Sequence, residues 1–148
     1  MERIWGMLDA LGIAVEYTDL PRDRDGEYLH DHGLIRLQRD MPTRLHRSVL
    51  AHECAHAVFA DVPSMFGPVN RKQERRADEW AALRLVSVDD YKRAEALHHG
   101  RADAMAVELS VTLRLVEAYQ RVLLRVGDTV YVAPRMGAGQ YSHMEQIA

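Results

Sequence analysis

The chain has 148 residues, a single cysteine and a formal net charge of -3 at pH 7, with 47% hydrophobic and 28% charged residues. That balance describes one globular domain able to bury its own core and excludes a mostly disordered chain, while the charge lacks the basic excess of a dedicated nucleic-acid binder. Cys54 alone cannot close an intramolecular disulfide, the opening Met1-Glu2-Arg3-Ile4-Trp5 does not read as a secretory signal, and no apolar run approaches membrane-spanning length, so a cytoplasmic location is expected.

In chain order, Ile4, Met7, Leu8 and Leu11 fall at helical spacing, with Gly12 as the stop. Residues 13–17 favour a strand, and 19–26, with Pro21 and the charges of Arg22-Asp23-Arg24-Asp25, an exposed turn. Residues 27–30 and 34–37 read as two more short strands joined through Asp31-His32-Gly33, which predicts a small antiparallel sheet. From Pro42 the apolar period becomes helical through Leu45, Val49, Leu50, Ala57 and Val58, ending at Asp61-Val62-Pro63, and 63–70 reads as a loop. Helix resumes over 74–86 with Ala77, Trp80, Ala81 and Leu85 as its buried stripe, then over 89–97, 102–109 and 111–126, broken near Gly100 and Ser110. In the tail from Gly127, Val130-Tyr131-Val132 suits a strand, and from Gly137 onwards the composition is loose.

The chemistry concentrates in His52-Glu53-Cys54-Ala55-His56. A helix turns about 100° per residue, so side chains four apart share a face roughly 6 Å apart along the axis, and both imidazoles can reach one ion. Zinc suits neutral imidazole nitrogen, and a catalytic zinc takes three protein ligands and leaves a place for water. Glu53 projects beside the histidine pair, where a carboxylate can take a proton from that water. Eighteen positions after His56 comes Glu74, and Asp78 follows one turn later, so a second helix can offer Glu74 to the metal and Asp78 to the outer ring nitrogen of a ligating histidine. Asp78 and Glu79 are the reserve ligands. The plainer reading is that Glu74, Asp78 and Glu79 are solvated helix charges paired with Arg71, Lys72, Arg75 and Arg76.

The segments Leu50-Ala51-His52-Glu53-Cys54-Ala55-His56-Ala57 and Glu74-Arg75-Arg76-Ala77-Asp78-Glu79-Trp80-Ala81-Ala82, following a short sheet, resemble the ImmA/IrrE metallopeptidases from residue 27 to 86 and more weakly to 126. The resemblance implies His52, His56 and Glu74 as zinc (Zn2+) ligands and Glu53 as the catalytic base. The Glu-x-x-x-Asp arrangement is also similar to the gluzincin pattern, in which the later aspartate supports a ligand histidine. Trp80 stands where the family usually has phenylalanine, and Leu85-Val86-Ser87 replaces its usual Leu-Met-Pro ending; both bear on packing or a turn rather than on the ligand set. The implied fold is α+β: a small antiparallel three-stranded sheet packed on a zincin-like active-site helix, followed by a mostly helical C-terminal half. On this resemblance residues 1–86 are expected to form the catalytic core of one metallopeptidase domain spanning 1–148, with 87–126 a helical subregion and 127–148 a tail.

Members of that family commonly act on helix-turn-helix repressors encoded beside them in mobile elements, so the resemblance implies an endopeptidase with a DNA-binding repressor as substrate and a part in transcription regulation. An extended substrate could add to a sheet edge, with Leu34–Leu37 as the candidate. The stretch 104–116 has the rhythm of a DNA-reading helical pair, with Arg114, Arg121 and Arg125 placed for phosphates, but Asp103, Glu108 and Glu117 dilute the charge. A helical hairpin packed on the core is the better reading, against direct nucleic-acid binding. His30, His32, His46, His98, His99 and His143 read as loop or surface residues, Cys54 as a small core residue, and Tyr28 as one candidate for stabilising an oxyanion. Two other classes stay open: a non-catalytic regulatory or antitoxin-like binding module that keeps the metal site, and a DNA-contacting protein with a structural metal. Manganese or iron stays open beside zinc.

Overall fold

A computed structural model describes residues 1–126 and two short strands beyond them, Thr129–Tyr131 and Met144–Gln146. Helix α1 (Glu2–Leu11) buries Ile4 and Leu8 and stops at Gly12, whose left-handed φ of 70° suits a residue without a Cβ. Strands β1 (Ala14–Thr18), β2 (Gly26–Leu29) and β3 (Leu34–Gln38) follow, with a single 3-10 turn over His30–His32 between the last two.

The sheet is mixed, with order β1-β3-β2. β2 and β3 pair antiparallel as expected, from Gly26 opposite Leu37 to Leu29 opposite Leu34, but β1 runs parallel to β3, from Ala14 beside Leu34 to Thr18 beside Gln38. Burial explains the order. β3 alternates strictly and carries Ile35 and Leu37, both fully buried, so the centre of the sheet, covered on one face by helices, is where it buries most apolar surface. The charged loop after β1 carries the chain across the sheet end, and β2 lies on the far side. Leu34–Leu37, expected to present an edge, is therefore enclosed between two strands, and the edge nearer the helices is β2.

α2 (Thr43–Phe59) lies against the sheet and buries Leu50, Ala51, Cys54 and Ala55. α3 spans Gly67–Leu85, so it begins well before the expected residue 74: Pro68 occupies its first turn, where the missing N–H costs nothing and the fixed φ is already helical. Ala77, Ala81 and Ala82 on α3 face the same core as Ala51 and Ala55, and side chains this small let two helices pack closely. Trp80 fills the space beside them at 1% exposure. α4 (Val88–Leu97) is capped by Ser87, whose hydroxyl accepts from the Asp90 N–H at 3.1 Å, so the departure from the family's usual ending supplies a helix start of another kind.

α5 (Ala102–Leu109) and α6 (Leu113–Val126) turn at Ser110 and bury Met105, Ala106, Val111, Leu115, Val116 and Tyr119, forming a hairpin packed on the core, with α6 along α3. Two bonds tie it to α2: Arg44 donates to the Val111 carbonyl at 3.2 Å and the Thr112 N–H to Ser48 Oγ at 3.0 Å, while Arg47 donates to the Leu85 carbonyl at the end of α3 at 2.9 Å. β4 (Thr129–Tyr131) pairs antiparallel with β5 (Met144–Gln146). The expected strand at 130–132 is thus found for its first two residues, whereas Val132 and the stretch 137–143 lie outside the described residues. The whole is an α+β fold with a mostly helical second half.

Gly26 connects fold and site. A Cβ there would stand 2.7 Å from Val49 Cγ1 and 3.1 Å from both Glu53 Cγ and Leu37 Cδ2, so only glycine lets β2 lie this close to α2. Gly26→Ala is expected to lower stability by about 1–3 kcal/mol through overpacking, read as a reduced midpoint in urea unfolding.

Candidate metal centre

The site grows from a helix face. His52 and His56 are one turn apart on α2, and their rings meet edge to face with centroids 4.7 Å apart and the two Nε2 atoms 3.0 Å apart. Glu74, in the first half of α3, reaches both: its Oε2 is 3.0 Å from His52 Nε2 and its Oε1 3.1 Å from His56 Nε2. Among the described residues these three form the single group of this kind able to hold an ion, with all donor atoms within 4.8 Å of one another.

The outer ring nitrogens are held by carboxylates. Asp78, one turn after Glu74 and buried, accepts from His52 Nδ1 at 2.7 Å. Asp61 accepts from His56 Nδ1 at 2.9 Å. α2 ends in a left-handed Ala60, with the Asp61 N–H returning to the His56 carbonyl at 2.9 Å, and this Schellman-type reversal folds Asp61 back under the ring of the last histidine. Each aspartate is in turn braced by an arginine: Arg76 pairs with Asp61, and Arg114 Nε donates to Asp78 Oδ2 at 2.6 Å while its Nη2 lies 3.5 Å from Glu74.

Ionised carboxylates only accept, so both Nδ1 atoms carry protons, and in the neutral rings both Nε2 atoms turn lone pairs toward each other and toward Glu74. Three acceptors converging in this way repel unless a cation lies among them, either protons or a metal ion. The donor set of two imidazoles and one carboxylate is that of a catalytic zinc, and tetrahedral bonds of about 2.0–2.1 Å place donors roughly 3.3 Å apart, close to the separations seen here. The residues present fit such an ion.

Glu53 is 6% exposed, and no side chain among the described residues hydrogen-bonds its carboxylate. It opens onto two clefts of about 370 and 430 Å³, which it shares with Glu74 and with His52 or His56 respectively. Burial raises its pKa, and the neighbouring imidazoles oppose that shift. Glu74 is held far below the usual carboxylate range by its bonds to His52 and His56. Burial works against a charge on His52, but Asp78 and Glu74 outweigh it and raise the ring to about 9.

The remaining candidates are placed elsewhere. Glu79, a reserve ligand, is buried against Arg125 at 3.0 Å and Arg121 at 3.5 Å. Arg114, Arg121 and Arg125, read as possible phosphate contacts, thus turn inward to the carboxylates of α3. Cys54 is fully buried, and burial lifts its thiol to about 11. Tyr28 lines the larger cleft with its hydroxyl 3.0 Å from His30 Nδ1, and His46 meets the Tyr17 hydroxyl at 2.9 Å. His143 lies outside the described residues. Sequence reasoning missed the placement of Asp61 beside His56; its signal was an acidic residue just past the helix end, before Pro63. It also missed the role of Arg114, which carries no local signal.

A histidine pair on one helix, a glutamate from the next and a buried glutamate on the cleft, unpaired among the described residues, define a domain of the metallopeptidase type. Residues 8–118 match the model of the IrrE N-terminal-like domain, a peptidase family, and the chain belongs to it. A comparison with curated proteins finds none that matches.

The raised His52 pKa has two linked consequences. In metal-free protein it contributes stability that is complete below the unfolded value of about 6.5 and is lost as pH rises through about 9. Over that same interval protons stop competing for the site, so affinity for zinc should rise. Thermal unfolding of chelator-treated protein and competition with a zinc-binding dye across pH 6–10 are expected to show opposite trends; parallel trends would rule out this coupling.

Proposed function

We propose that this chain is a zinc-dependent endopeptidase that hydrolyses a peptide bond in a specific protein, a helix-turn-helix transcriptional repressor, in the cytoplasm. The observation that carries the reaction is the buried Glu53 carboxylate, free of side-chain partners among the described residues and opening on the clefts beside the His52, His56 and Glu74 donors. A site serving structure alone has no use for a base and closes its fourth position with a further ligand. The repressor rests on the resemblance of the His52–His56 and Glu74–Ala82 segments to the ImmA/IrrE metallopeptidases.

In this reading His52, His56 and Glu74 hold the ion, which when bound supplies a Lewis acid that acidifies water and polarises a carbonyl. Asp78 and Asp61 keep the Nδ1 protons in place, so both rings offer Nε2 as donors, and Arg76 and Arg114 hold those aspartates in orientation. Glu53 takes a proton from the attacking water as oxygen adds to the scissile carbonyl carbon. It then delivers that proton to the amide nitrogen as the C–N bond breaks, leaving a carboxyl and an amine. Its raised pKa suits both halves of the exchange. The free edge of β2 borders both clefts through Gly26, so an extended substrate pairing there would lie across the donors.

Elemental analysis is expected to find near-stoichiometric zinc in wild type and Glu53→Gln, and depletion in His52→Ala and Glu74→Ala. Glu53→Gln should lower cleavage by about 10²–10⁴-fold, measured as new protein N-termini formed in host lysate by zinc-loaded protein. A wild type with no zinc, or cleavage indifferent to Glu53, would overturn the reading. Asp61→Asn and Asp78→Asn should each weaken zinc binding by about 10–100-fold without abolishing it, as followed by dye competition.

A further inference from the structure

The link between α2 and α3 and the first turn of α3 expose four large apolar side chains: Val62 at 47%, Met65 at 95%, Phe66 at 66% and, on α3, Val69 at 43%. Single exposed apolar residues are ordinary, but a contiguous group next to a cleft marks a contact surface. The link is also held in one shape. The Ser64 N–H donates to Asn70 Oδ1 at 2.8 Å, Asn70 Nδ2 donates back to the Ser64 carbonyl at 2.7 Å, and the Phe66 N–H donates to Ser64 Oγ at 3.1 Å. At its start, Arg76 pairs with Asp61 and lies 4.0 Å over the Phe59 ring. Met65 and Phe66 are thus presented by an ordered loop, and little conformational entropy remains to be lost when something binds.

What covers this surface follows from its continuity with the cleft. Val62 and Pro63 line the same cavity as Glu53, His56 and Glu74, and Gly26 and Tyr28 of β2 form another of its walls. Met65 and Phe66 lie outside that lining, two and three residues beyond Pro63, so a polypeptide leaving the cleft past Val62 and Pro63 would run onto them. The large apolar residues of the link offer no partner to a charged side chain and gain most from burying an aliphatic or aromatic one.

We propose that the segment 62–69, the link with the first turn of α3, is the specificity surface of the enzyme, receiving one large apolar side chain of the polypeptide substrate (Leu, Ile, Met or Phe) close to the scissile bond, with Met65 and Phe66 as its main contacts. The proposal rests on the peptidase reading above and adds a sequence preference to it. The donors and their carboxylate supports lie outside the link's exposed residues, so changing Met65 and Phe66 alters selection without removing a metal ligand.

The test uses zinc-loaded full chain, wild type and M65S/F66S, on a mixture of random-sequence peptides, with cleavage sites read by mass spectrometry. Wild type is expected to favour large apolar residues over serine by at least about 10-fold at one position flanking the cut, and the double variant to lose most of that preference while keeping its zinc. An unchanged profile overturns the proposal. Should the double variant unfold, Met65→Ser alone, at an almost fully exposed position, must still reduce the preference. If wild type cuts no peptide, the peptidase reading stands or falls on the lysate cleavage above, and retention of the same mixture on immobilised zinc-loaded proteins decides the link: enrichment of apolar-containing peptides on wild type over M65S/F66S supports it, equal retention overturns it. Binding to anionic lipid vesicles or self-association that disappears in M65S/F66S, with peptide selection unchanged, would assign the surface to a membrane or to a second copy instead.

Discussion

Three acceptor atoms aimed at one point are the constraint on which the rest of this structure depends. The lone pairs of His52 Nε2 and His56 Nε2 and the carboxylate of Glu74 approach to 3.0–3.1 Å, an arrangement that is repulsive without positive charge among them. Packing holds them there. Ala51, Cys54 and Ala55 on α2 and Ala77, Ala81 and Ala82 on α3 are fully buried and small, so the two helices can lie close enough for Glu74 to reach the histidine pair. Trp80 fixes the spacing from the core side, and the bonds from Asp78 and Asp61 lock the ring orientations from outside.

Charge is balanced outward in layers. Acidic groups face the imidazoles, and arginines face the acidic groups: Arg76 for Asp61, Arg114 for Asp78 and Glu74, Arg121 and Arg125 for Glu79. Buried carboxylates such as Asp78 and Glu79 would be costly unpaired, so the arginine-bearing face of α6 is tied to α3, and the C-terminal hairpin completes the site as much as it covers the core. Glu53 is the exception, buried near its neighbours yet without a side-chain partner among the described residues, and an uncompensated group of this kind is where reactivity concentrates.

The strands and helices were largely legible because each depends on near neighbours in the chain. The alternation through Ile35 and Leu37 and the helical stripes around Leu50 and Trp80 set element types and, within a few residues, their limits. The start of α3 was misplaced because Gly67-Pro68 reads as a loop pair, although proline in a first turn begins a helix equally well. The direction of β1 was misjudged because a short strand encodes its faces but not its neighbour, and the choice of β3 as central strand follows from burial summed over the whole sheet.

By itself, the sequence determined that His52, Glu53 and His56 occupy adjoining faces of one helix and that Glu74 and Asp78 share a face of another, since helical geometry turns spacing directly into direction. Only the tertiary structure decided that the two faces meet, that Asp61 turns back to His56, that Arg114 arrives from α6, and that β2 rather than β3 borders the cleft. Those contacts join residues from different elements, or from beyond a helix end. Their distances are set by how the helices and sheet pack, a property of the assembled core that no local pattern of residues records.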